Sequence, residues 1–150
     1  MSLYNHFPSK DDLILAVLKF REEAVLEFFR MAIEKHTKKM KVPLRAFFAT
    51  LKDWFESPGF RGCAFQNASI ELANPEHPGT EFVRGHKERF SEYLRSLVEQ
   101  AVGKVATKIA PAINLLVEGT IVTAVIQQSS ASADVARDAA FRLVSEASDN

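Results

Sequence analysis

Apolar residues return every third or fourth position along almost the whole chain, a period that suits helices and very little else. Ser9 followed by Asp12 marks a helix start with a shortened capping box. Leu13, Val17, Phe20, Ala24, Phe28 and Met31 then trace one apolar face of a long amphipathic helix expected to run to about His36, where the basic run Lys38-Lys39-Met40-Lys41 breaks the pattern. Pro43 suits the first turn of a second helix carrying Leu44, Phe47, Phe48, Leu51, Trp54 and Phe55, closed by Ser57-Pro58-Gly59. A shorter third helix is predicted over 63–73, ended by the proline-rich turn from Asn74 to Gly79. A fourth is predicted over 80–102 and a nearly uncharged fifth over 105–128, which Pro111 opens or kinks. A last helix over 133–147 carries Ala136, Ala139, Ala140, Leu143 and Val144.

A strand competes only at Thr120-Ile121-Val122-Thr123, where β-branched residues cluster. No hairpin signal and no second alternating segment offers it a partner, so its backbone groups would stay unbonded. The expected class is therefore all-α, a helical bundle. At 150 residues and 47% hydrophobic composition the chain suits one domain, and 19 basic against 19 acidic residues give no overall polyanion-binding charge. The single cysteine, Cys63, excludes an intrachain disulfide and a multi-thiolate zinc site. No uninterrupted apolar run approaches the roughly 20 residues of a membrane span and no basic-then-apolar leader opens the chain, so a cytoplasmic protein without membrane contact is expected.

The opening Leu3-Tyr4-Asn5-His6-Phe7, with Ser9-Lys10-Asp11 and Leu13 behind it, resembles the TetR family of transcriptional regulators, in which a recognition helix ends in such a pattern before a long helix begins. Arg61-Gly62-Cys63-Ala64-Phe65, Asn67-Ala68 and Glu71-Leu72 resemble, less specifically, the middle of the regulatory domain of the same family. The resemblance implies that residues 1–8 are the remnant of a helix-turn-helix domain and that 9–150 form a ligand-binding and dimerisation domain. It also implies that operator DNA is bound only when the missing N-terminal helices are present. Tyr4, His6 and Lys10 are of types that reach phosphate oxygens, which position a duplex without reading its sequence.

Twelve phenylalanines with Trp54 and two tyrosines either fill a core or line a pocket for a small apolar or aromatic effector. The candidate lining is Phe48, Leu51, Trp54, Phe55, Phe65, Phe90, Leu94 and Leu116, with Gln66, Asn67 and His86 as polar members. Cys63 near Arg61 at a helix start has the setting of a redox-sensitive thiol, against the commoner case of an inert buried one. His77 and His86 do not have a metal-binding spacing, and neither a phosphate loop nor a nucleophile elbow is present. No enzyme, metal or cofactor is expected.

Gly119, Val122 and Ile126 of the fifth helix, with Ala136, Ala139, Ala140 and Leu143 of the sixth, would expose more apolar surface than a monomer tolerates, so a homodimer through an intermolecular four-helix bundle is expected. The expected function is a ligand-responsive repressor. The alternative is a truncated dimerisation module that heterodimerises with complete regulators and disables them.

Overall fold

A computed structural model of the chain describes residues 7–148. Within them lie six α-helices: α1 (Lys10–Met40), α2 (Pro43–Phe55), α3 (Ala64–Leu72), α4 (Pro78–Val102), α5 (Ala106–Gln127) and α6 (Ala131–Ser148), with a single 3-10 turn, Gly103–Val105, between α4 and α5. The described residues contain no strand, and α5 runs straight through the β-branched cluster at 120–123.

Local chemistry explains the ends. Ser9 caps α1 by accepting the Asp12 N–H at 3.1 Å, but Asp12 returns the favour differently from a standard box, taking the Ser9 hydroxyl proton at 2.6 Å. Helix α1 passes the lysine run and stops only at Lys41, whose left-handed backbone (φ 58°) turns the chain. Lys38 and Lys39 suit a helix C-terminus, where cations meet the unpaired carbonyls, so they end the helix favourably without interrupting it. Helix α4 begins at Pro78, two residues earlier than the sequence suggested, because His77 caps it through Nδ1, accepting from the Gly79 N–H at 2.9 Å. Pro111 sits inside α5 on an exposed face.

Helix α2 is the hub. Leu44, Ala46, Phe47, Phe48, Leu51 and Phe55 are buried, and α2 packs against α1, α4 and α6. Phe47 alone meets the rings of Phe29, Phe48 and Phe90. Helix α5 packs on α4 and α6 through Ala106, Ala110, Ile113, Val117, Ile121 and Ala124, and α3 lies on α4. By length and composition α5 includes a stretch apolar enough to cross a membrane, though that stretch is interrupted by the charged Glu118 and its inward row is core.

Helix α1 corrects the sequence reading most. The row Val17, Phe20, Ala24, Phe28 and Met31, expected to face the core, points to solvent, with Phe20 72% exposed. The inward row is Ile14, Leu18, Val25, Phe29 and Ile33. Both rows have helical spacing, so periodicity does not choose between them. Three contacts pin the observed setting: His77 Nε2 to Asp11 at 3.1 Å, His86 Nδ1 to Glu22 at 2.9 Å, and His36 Nε2 to Asp53 at 2.7 Å.

Gly62 fills a place no other residue fits. Its φ is +82°, and a Cβ there would lie 2.8 Å from Val125 Cγ2, jamming the α2–α3 loop against α5. Gly59 shares the backbone conformation (φ +78°) but faces open space. Gly62→Ala is therefore expected to lower stability by more than the ~1–2 kcal/mol of left-handed strain that Gly59→Ala incurs, a difference readable by urea unfolding of the two variants.

Candidate functional site

A partly enclosed cavity of about 330 Å³ lies where α1, α2, α3 and α4 converge, with Ile121 of α5 at its floor. Each helix contributes an aromatic or aliphatic wall: Val25, Leu26 and Phe29 from α1, Leu51 and Trp54 from α2, Phe65 from α3, and Phe90 and Tyr93 from α4. Cys63, free and buried, closes one side at the start of α3. A second hollow of about 690 Å³ between α1 and the 57–62 loop is more open and more polar, and shelters an apolar molecule less well.

The polar part of the cavity is a clamp between α1 and α4. Glu22 Oε1 accepts from Arg89 at 2.6 Å and meets His86 Nδ1 at 2.9 Å, and the His86 ring stacks on Phe65 with centroids 3.6 Å apart. Burial opposes ionisation of Glu22, but Arg89 and His86 together outweigh it and hold the carboxyl below its usual range. For His86 burial is the larger effect and pushes its pKa down despite the pull of Glu22, which favours a neutral ring. Burial likewise raises the Tyr93 phenol above its ordinary value, so it stays a hydroxyl. Behind the wall, Glu118 of α5 accepts from Lys87 at 2.7 Å and from Gln66 Nε2 at 2.5 Å, tying α3, α4 and α5 together.

Of the residues that the sequence nominated for a pocket, Leu51, Trp54, Phe65, His86 and Phe90 line this cavity. Phe48, Phe55 and Leu94 instead fill the core, and Leu116 packs against it. Gln66 is spent on Glu118, and Asn67 donates to the Arg61 carbonyl and borders the open hollow. Sequence reasoning missed Glu22, Phe29 and Arg89. Phe29 lies one position from the apolar row read as inward, and the two charges resemble the solvated charges beside them; only the fold brings them together.

Gly119, Val122 and Ile126 face outward on α5, where a Cβ on Gly119 would meet nothing within 4 Å. Ala136 and Ala140 turn inward, because small residues let α6 sit closely on α2 and α5; Leu143 packs against the same core and Ala139 is half-buried. Two larger outward residues went unnamed in the sequence reading, Leu115 (73% exposed) and Val135 (70% exposed). Lys10 is exposed at the first turn of α1, while Tyr4 and His6 lie outside the described residues.

Residues 42–140 match the family model described as tetracyclin repressor-like, C-terminal domain. A crystal structure of a TetR-family transcriptional regulator from Streptomyces coelicolor superposes with a TM-score of 0.81 at 26% identity, covering 97% of this chain and 77% of that one. No curated protein matches the chain.

Because its Glu22 carboxyl titrates lower folded than unfolded, the clamp's contribution is present above the ordinary carboxylate range and is lost as pH falls through the folded value. The buried His86 acts in the same sense, since the unfolded chain takes up its proton first. Glu22→Gln is expected to cost about 1–2 kcal/mol at pH 7, and urea unfolding at successively lower pH should show the gap to wild type closing. A gap that widens with acid would contradict the clamp.

Proposed function

Since the chain belongs to the TetR family of transcriptional regulators, matching its C-terminal domain over residues 42–140, we propose that it is the effector-sensing and pairing core of a ligand-responsive repressor, whose effector occupies the cavity between α1 and α4. The observation that carries this reading is that α1 forms one wall of the cavity and at its other end presents Lys10. An effector that fits one spacing of α1 and α4 better than another changes the setting of α1 by as much as its affinities for the two differ. Residues 9–150 form the sensing unit, and residues 1–8 belong to the DNA-reading side. Lys10, with Tyr4 and His6 before it, contacts phosphates in that arrangement, and sequence is read by helices that family members place ahead of this segment.

Pairing is through α5 and α6. Leu115, Gly119, Val122 and Ile126 are spaced four, three and four apart on one outward row, and Val135 of α6 is likewise exposed with Ala139, four residues on, half-buried. An apolar row with a glycine at its middle suits close approach of a second copy around a two-fold axis, giving a four-helix bundle. Ile126 is 76% exposed in the single chain, so Ile126→Glu should leave the protomer's stability nearly unchanged while converting a dimer to monomer in sedimentation velocity.

The regulatory half is tested with an N-terminally extended version that carries a helix-turn-helix. It should select a palindromic site from random DNA at physiological salt, and cavity ligands should weaken that binding. A dimer that shows no preference over random DNA would defeat the reading.

A further inference from the structure

The cavity's own chemistry restricts what fits it. Its volume of about 330 Å³ is near the lower end for small-molecule sites. Phe29, Trp54, Phe65, Phe90 and Tyr93 line it, five aromatic rings from four helices, and flat faces on several sides favour a flat occupant.

Charge is already balanced in the walls. Each cation bordering the cavity has a carboxylate of its own: Arg30 meets Glu27 at 2.7 Å, Lys87 meets Glu118 at 2.7 Å and Arg89 meets Glu22 at 2.6 Å. A ligand acid would share a cation whose charge is already met by a carboxylate, and a ligand cation would compete for carboxylates already engaged. Bringing a charge into the apolar part without a partner is costly.

Among the lining's polar atoms that have no partner in the described residues, which include the Tyr93 hydroxyl and the Trp54 indole N–H, one is an acceptor nitrogen. Glu22, ionised, is an acceptor only, so His86 Nδ1 carries the hydrogen of their 2.9 Å contact. Burial favours the neutral ring, which leaves Nε2 with a lone pair. Nε2 has no protein partner among the described residues, and His86, a residue 6% exposed, lines the cavity.

Resting on the reading of this cavity as the effector site, we infer that it takes a neutral, flat aromatic molecule of two or three fused rings whose single hydroxyl donates to Nε2 of His86. The hydroxyl is the element of selectivity. A hydrocarbon of the same shape covers Nε2 and leaves it unbonded, and a methyl ether offers no hydrogen.

The test uses the whole chain and four probes of one ring system: 2-naphthol, naphthalene, 2-methoxynaphthalene and 2-naphthoate. Affinities come from calorimetry, and the site is verified by the indole resonance of Trp54, the chain's one tryptophan. 2-Naphthol is expected to bind about tenfold more tightly than naphthalene or 2-methoxynaphthalene, as befits one buried hydrogen bond, with 2-naphthoate the weakest. In His86→Phe that preference should fall to within about twofold. Should His86→Phe not fold, the wild-type comparison of 2-naphthol with 2-methoxynaphthalene decides alone. Equal binding of those two, or tighter binding of 2-naphthoate, overturns the inference. If the naphthalenes fail but 1-decanol binds and shifts the Trp54 resonance, the cavity remains a ligand site and only the aromatic class falls. If no probe binds, both the inference and the effector reading fall.

Discussion

The clamp of Glu22 with His86 and Arg89 is the contact on which the arrangement depends, because α1 is apolar on two sides. Val17, Phe20, Ala24, Phe28 and Met31 offer a row comparable in bulk with the Ile14, Leu18, Val25, Phe29 and Ile33 row that is packed. Hydrophobic burial is non-directional and roughly proportional to area, so by itself it discriminates weakly between two such rows. A half-buried carboxylate is different: turned away from α4 it would leave Nδ1 of the buried His86 unbonded. Directional polar contacts at Asp11, Glu22 and His36 therefore set the rotation of a helix that, at 31 residues, is about 45 Å long.

That division of labour explains what was legible beforehand. Helix number and most ends followed from local signals: Ser9 as a cap, Pro43 at a first turn, Pro58-Gly59 after a last one. These depend on a few neighbouring residues, so the sequence carries them openly. The errors at Met40 and Pro78 arose where a feature with two meanings was given the wrong one, lysines that suit a helix end and a proline that opens a helix.

The site was half legible for a related reason. Leu51, Trp54, Phe65, His86 and Phe90 are conspicuous by type, and a cavity among crowded aromatics gathers some of them whatever its detail. Glu22 and Arg89 are ordinary by type and are separated by 67 positions. Their significance lies in a single 2.6 Å contact that no pattern along the chain encodes. The same holds for Ala136 and Ala140, since small side chains suit close approach equally well from inside the protomer or outside it.

Glu118 joins the two surfaces that matter most. Its carboxylate is held by Lys87 in the cavity wall and by Gln66 on α3, and the next residue along the backbone is Gly119, at the centre of the outward apolar row. Cavity and row thus share a stretch of α5 and cannot be strained independently. Thermodynamic linkage makes such sharing reciprocal: in the proposed dimer an occupant that tugged Lys87 would alter how strongly two copies associate, and the apparent affinity for that occupant would then drift with the total amount of protein in solution.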